Sequence, residues 1–191
     1  MTLFLVIFLS YMIGSIPFGL LLSLIFKKKD PRFIGSNNIG ATNITRISGW
    51  KLGLATLLLD VLKAFVTVKI CSAFNEQFFL YCSISVFLGH LFPIWLKFKG
   101  GKGIAVFIGI LFSISPVYGL IFLILWFITA KIYKYSSLSA LVSCLIILLI
   151  VLYQGLFINS LLVSFMTLMV FFKHKTNIKR LLNKEESKIK F

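Results

Sequence analysis

Apolar residues gather into six long stretches, at about 3–26, 52–74, 78–96, 104–130, 138–153 and 156–172. Runs of about 20 residues match a bilayer's hydrocarbon core, crossed by a helix rising roughly 1.5 Å per residue. The stretch 104–130 exceeds one span and contains Ser113-Ile114-Ser115-Pro116. Proline cannot continue a helix's hydrogen bonding, so the run divides there into two short spans. The pattern predicts an all-α polytopic transmembrane helical bundle of seven spans. Five is the alternative, because residues 104–113 would reach only about 15 Å as a helix.

The polar connections differ sharply in charge. Lys27, Lys28, Lys29, Arg32, Arg46 and Lys51 fill the first, the next (Asn75-Glu76-Gln77) has no basic residue, and Lys97, Lys99 and Lys102 fill the third. Excess Lys and Arg marks cytoplasmic loops, which places these two loops and the basic tail from about residue 173 inside and the N-terminus outside. An N-out, C-in chain needs an odd number of spans. With the break at Pro116, every basic residue except Lys63 and Lys69, which lie within the second stretch, falls on the cytoplasmic side. Trp50, Trp95, Trp126, Tyr133, Tyr135 and Tyr153 lie near the proposed ends, as interfacial aromatic belts require.

Composition strengthens the membrane reading. Hydrophobic residues make up 59% of the 191 positions, with mean hydropathy +1.02, well above the roughly 45–50% apolar usage of soluble domains. The net charge of +15 implies anionic partners. Cys71, Cys82 and Cys144 sit in apolar runs without metal-ligand spacing, so no disulfide framework, metal or cofactor is expected. The first stretch lacks the basic start of a signal peptide and exceeds its apolar core, so it is expected to be a retained span. No repeat divides the chain, and residues 1–191 are read as one domain whose polar end, from about Asn183, is expected to fray.

Two loops carry chemistry. The first reads Gly35-Ser36-Asn37-Asn38-Ile39-Gly40-Ala41-Thr42-Asn43-Ile44-Thr45-Arg46, rich in hydroxyls, amides and backbone N–H groups that can face an oxyanion. Arg46 adds a guanidinium able to hold a phosphate through two hydrogen bonds; a solvated turn is the plainer reading. The third loop, Lys97-Phe98-Lys99-Gly100-Gly101-Lys102-Gly103, opens directly into an apolar helix. Glycines, lysines and a helix N-terminus together suit a phosphate; an anchor to anionic lipid is the alternative. It is not a Walker A loop, which needs an earlier glycine and a following Ser or Thr.

His90 lies near the end of the third stretch, before Pro93, where it can orient or deprotonate a hydroxyl or simply pack. Asp60 and Lys63 share one helix face, as a structural ion pair or a proton relay. His174, Asn177 and Arg180 recur every third residue after the last stretch, either closing a site or lying on anionic lipid.

Gly14-Ser15-Ile16-Pro17, the 35–46 segment, Gly89-His90 with Phe92-Pro93, Lys99 to Gly103, and the 174–180 segment together resemble the bacterial acyl-phosphate:glycerol-3-phosphate acyltransferases over nearly the whole chain. The resemblance implies a seven-span bundle in the bacterial plasma (inner) membrane, with its active site facing the cytoplasm. It implies transfer of a fatty acyl group from acyl phosphate to the 1-hydroxyl of glycerol 3-phosphate, giving lysophosphatidic acid and inorganic phosphate in phospholipid synthesis. Ser36, Asn38, Thr42, Arg46 and Lys102 are then implied to bind glycerol 3-phosphate. Lys99, Gly100, Gly101, Gly103, Ser137, His174 and Asn177 would bind the acyl phosphate, and His90, Lys102 and Asn43 would be catalytic. No cofactor is implied, and the partners are the two substrates and membrane lipid, the chain acting as a monomer without nucleic acid. Asn37, Ala64 and Lys184 depart from the family pattern, each standing where glycine is common, while Glu186 matches the usual tail glutamate.

An acyl phosphate is already activated, so no Ser or Cys nucleophile is needed, and the motif loops contain no carboxylate suited to act as base. Catalysis by positioning is expected, with a phosphate oxygen of the substrate taking the proton and His90 as the fallback. A phosphate transporter is the main competitor, but transport sites usually lie near the bilayer midplane between repeated halves, whereas these motifs share one face. A structural lipid-binding protein would not explain the placement of Ser36, Asn43, Arg46 and Gly101, and nucleic-acid binding lacks a module.

Overall fold

The first apolar stretch is not one straight helix. α1 (Leu3–Gly14) and α2 (Phe18–Ile25) are bent by 43° at Ser15-Ile16-Pro17, because Pro17 has no N–H to continue the ladder. The expectation of a single continuous span is corrected to that extent. The structure is a computed structural model describing residues 2–189. Among them, all regular elements are helical: after α2 come α3 (Ala41–Ser48), α4 (Trp50–Phe74), α5 (Phe78–Leu91), α6 (Ile104–Ile114), α7 (Pro116–Tyr133), α8 (Ser136–Tyr153), α9 (Phe157–Lys173) and α10 (Lys175–Leu182), with a 3-10 turn at Ile94–Leu96.

The chain forms two compact units, one ending at Ser113 and one beginning at Ile114. In the first, α1 packs on α5, α4 on α5, and α3 along the start of α4. Lipid tails are as apolar as side chains, so membrane helices associate through close packing of small residues. A Cβ on Gly14 would lie 2.2 Å from the Val86 carbonyl oxygen, and one on Gly89 2.3 Å from that of Tyr11. The α1–α5 backbones meet at that pair, with Val6, Val86, Phe87 and Leu91 fully buried.

In the second unit α8 packs against both α7 and α9. The expected break at Pro116 is present: Ser115 Oγ accepts from Val117 N at 3.3 Å, and proline opens α7. Lys134 (φ 63°) turns α7 into α8 and Gly155 (φ 68°) turns α8 into α9. α9 and α10 are bent by 61° at His174. The segment expected to fray instead folds back, Ile189 N donating to the Lys134 carbonyl at 2.6 Å.

Among the described residues, three segments are long and apolar enough to cross a membrane: Phe78–Leu96, Pro116–Tyr133 and Ser136–Tyr153. Counting each bent pair as one span raises this to five. α4 has 25 residues but carries Lys51, Asp60, Lys63 and Lys69, while α6 has only 11.

Candidate active site

The first loop is built around Asn43, buried to 1% exposure. Its Oδ1 accepts from Ser36 N at 2.9 Å, and its Nδ2 donates to the carbonyls of Pro31, Ile34 and Asn38 at 3.1, 3.0 and 2.8 Å. An amide holding four backbone groups fixes the loop's path. Asn43 therefore presents Ser36 and Asn38 rather than facing outward itself. Asn38 Oδ1 accepts from Gly40 N at 2.8 Å, and Gly40 opens α3, on which Thr42 and Arg46 are exposed one turn apart. Ile39 seats this loop against α2 and α4: a Cβ on Gly19 would meet its carbonyl at 2.0 Å and Thr56 Cγ2 at 3.1 Å.

Further along α4, Lys63 and Asp60 form the expected ion pair at 2.7 Å, with side chains 3% and 4% exposed. Lys63 Nζ also donates to the Ile16 carbonyl at 2.7 Å, lies 3.1 Å from His90 Nδ1 and sits 5.6 Å from the centre of the Phe18 ring. The break at Pro17 leaves the Ile16 carbonyl outside both helices, and Lys63 occupies it.

His90, 5% exposed, ends α5 directly beneath the glycine-rich turn. Gly101 N donates to its carbonyl at 3.1 Å and Gly100 N to that of Leu91 at 3.2 Å. These two amides hold the turn to α5, and beyond them Lys102 and Gly103 lead into the first turn of α6, whose N–H groups have no acceptor within the helix. Gly103 (φ 90°) directs the chain into α6.

In the second unit, Glu186 Oε1 accepts from Ser137 Oγ and Asn177 Nδ2, each at 2.7 Å, and Oε2 accepts from Arg180 Nε at 2.8 Å. Burial favours the neutral carboxyl, but these donors outweigh it and hold Glu186 below the usual carboxylate range. His174, 3% exposed, lies 2.8 Å from the Val170 carbonyl through Nδ1. Ser137 and Asn177 are thus brought together around Glu186, which sequence reasoning noted only as a family match.

Apolar helices around buried charges, ending in basic loops organised by amides and glycines, define an integral membrane protein equipped for anions. The glycerol-3-phosphate acyltransferase family model matches residues 4–184. The chain is 50% identical to a glycerol-3-phosphate acyltransferase of Pelagibacter ubique over 95% of this chain and 94% of that one. It is 44% identical to one of Brucella canis, over 94% and 90%. Crystal structures of PlsY (YgiH), an integral membrane glycerol 3-phosphate acyltransferase, superpose with TM-scores of 0.94 for the glycerol 3-phosphate form and 0.91 for the lysophosphatidic acid form. Their identities are 29% and 28%; each alignment covers 98% of this chain, with 96% and 95% of those chains. The chain belongs to the glycerol-3-phosphate acyltransferase family and is an acyltransferase.

Asp60 and Lys63 entered the sequence reading as a structural ion pair or a proton relay, without a link to His90. The signal for more was their lying three residues apart on one face of an apolar helix, since intramembrane charges are seldom idle.

Proposed function

We propose that the protein transfers a fatty acyl group from acyl phosphate to the 1-hydroxyl of glycerol 3-phosphate, releasing inorganic phosphate and lysophosphatidic acid. The hydroxyl oxygen forms a bond to the acyl carbon, the bond from that carbon to the phosphate oxygen breaks, and the hydroxyl proton leaves on the phosphate. The observation that carries this reading is the turn from Lys99 to Gly103, held over His90 by the Gly100 and Gly101 amides and leading into α6.

Ser36, Asn38, Thr42, Arg46 and Lys102 receive glycerol 3-phosphate, with Asn43 positioning Ser36 and Asn38. Lys99, Lys102, Gly103 and the amides opening α6 hold the acyl-phosphate headgroup, with Gly100 and Gly101 giving the turn its close approach. In the second unit, Ser137, His174 and Asn177 are the further residues assigned to acyl phosphate, Ser137 and Asn177 lying beside the Glu186 carboxylate. Two phosphate groups bring about four negative charges together, and these cations and N–H dipoles offset their repulsion.

The acyl chain lies in an apolar groove of about 230 Å³ along α1 and α4, lined by Val6, Leu9, Ile13, Val66 and Ile70 and reaching Lys63. Since Lys63 bonds His90, the groove starts where the reactive carbonyl would sit. The whole chain acts as one domain and as a monomer in the bacterial inner membrane. It has seven spans, counting α4 and the short α6, with the N-terminus outside and the site facing the cytoplasm, as the loop charges support.

The test is release of inorganic phosphate and formation of lysophosphatidic acid by purified protein given palmitoyl phosphate and glycerol 3-phosphate, beside an Arg46→Ala control. Activity in the parent with at least about a hundredfold loss in the control is expected, the size of a lost charge-assisted clamp. A well-folded parent that is silent across acyl lengths overturns the reading.

A further inference from the structure

The surroundings of Lys63 decide which ring nitrogen of His90 carries the proton. An ammonium has three N–H donors and no acceptor. Around Lys63 Nζ stand three acceptors: Asp60 Oδ1 at 2.7 Å, the Ile16 carbonyl at 2.7 Å and His90 Nδ1 at 3.1 Å. The Phe18 ring face, 5.6 Å away, also favours a cation there. A group that only donates requires His90 Nδ1 to accept, and a neutral ring accepting at Nδ1 carries its hydrogen on Nε2. Protonating both nitrogens would set two cations 3.1 Å apart in a buried site. Asp60 Oδ1 is 3.7 Å from His90 Nδ1, too far for a hydrogen bond, so Asp60 acts through Lys63.

His90 Nε2 points at the glycine-rich turn, where a Cβ on residue 101 would lie 2.2 Å from it. We infer that Lys63, anchored by Asp60, is a positioning residue that fixes His90 as the Nε2–H tautomer, making His90 a hydrogen-bond donor to an oxygen of the acyl phosphate rather than a base. This rests on the reading of the turn as the acyl-phosphate site. It removes the fallback base considered above, since Nε2 holds a hydrogen and Nδ1 faces Lys63.

The chain has two histidines, so the tautomer can be read directly from protein labelled with ¹⁵N-histidine in detergent or nanodiscs. His174 provides the contrast: its Nδ1 is 2.8 Å from a carbonyl that can only accept, so it carries the Nδ1–H form. Two-bond ¹H–¹⁵N correlation at neutral pH should show two rings of opposite tautomer, with His174→Gln assigning them. His90 found as Nδ1–H, or protonated on both nitrogens, overturns the inference whether or not the protein is an acyltransferase.

Kinetics test the donor role. Lys63→Met should mix the His90 tautomers and lower kcat about tenfold or more, with KM for glycerol 3-phosphate changed less than about threefold. His90→Gln keeps a side-chain donor and no base, and should retain at least about tenfold more activity than His90→Ala. Equal loss in the Gln and Ala variants, or an unchanged tautomer and kcat in Lys63→Met, overturns the role assigned. If Lys63→Met does not fold, the parent spectrum and the two His90 variants still decide.

Discussion

Gly101 backs onto the ring of His90 so closely that a Cβ would stand 2.2 Å from Nε2 and 2.9 Å from Cε1. Gly101 N is also bonded to the His90 carbonyl, so the turn cannot lift away without losing that bond. Gly101→Ala should therefore turn the ring off Lys63 while leaving the helices intact. Displacements of about 1 Å at a reacting group cost on the order of a hundredfold. The expected result is a loss of that size in kcat with a melting temperature within a few degrees of the parent, measured by phosphate release and thermal unfolding in the same detergent.

Glu186 and its three donors make the tail's docking depend on pH. Because its folded pKa lies below the ordinary glutamate value, the contribution is fully present above the unfolded pKa and is lost as pH falls through the lower, folded one. Protection of the α10 amides against hydrogen exchange, taken relative to the intrinsic rate at each pH, should be high at neutral pH and should fall as the medium is acidified below about pH 4. Glu186→Gln should remove most of that pH dependence and raise exchange already at neutral pH, since hydrogen bonds to a charged group contribute about 1.5–3 kcal/mol.

Much of the fold was legible because apolar runs and proline leave local marks. The division of residues 104–130 follows from Ser115 and Pro116, whose capping and missing N–H act on their own helix. The same signal at Pro17 was present but was read as part of one long span, since the run stays apolar on both sides. What sequence could not supply was the partner across space. Helical period put Asp60 and Lys63 on one face, but nothing local says that His90, 27 positions on, meets them. Nor does it show that Asn43 spends its amide on its own loop, or that Ser137 and Asn177 gather around Glu186 across 49 and 9 positions.

Two departures from the family pattern acquire a physical meaning. Asn37 (φ 54°) and Lys184 (φ 61°) both hold left-handed backbone where glycine is usual, and asparagine tolerates that region better than lysine. Lys184 stands just past α10, with Lys184 N donating to the Leu181 carbonyl and Glu185 N to that of Arg180, the bonding of a Schellman ending. That turn delivers Glu186 to Arg180. Lys184→Gly should raise stability by about 0.5–1 kcal/mol, the left-handed strain exceeding glycine's entropy cost, while Asn37→Gly should change it less. Thermal unfolding of the two variants checks the order.

The groove along α1 and α4 predicts a change of substrate preference. Val66 lines it and is 44% exposed, and it lies three residues, or about 4.5 Å of helix rise, beyond Lys63. A larger side chain there blocks the path of a long acyl chain without touching the turn, Arg46 or His90. In Val66→Trp, kcat/KM with palmitoyl phosphate should fall about tenfold or more, whereas short-chain acyl phosphates should be used nearly as well as by the parent. An indole removes room for several methylene groups, each worth about 0.8 kcal/mol when buried, so a loss of two groups' burial is enough. Equal loss at every chain length would place the acyl chain along another helix pair.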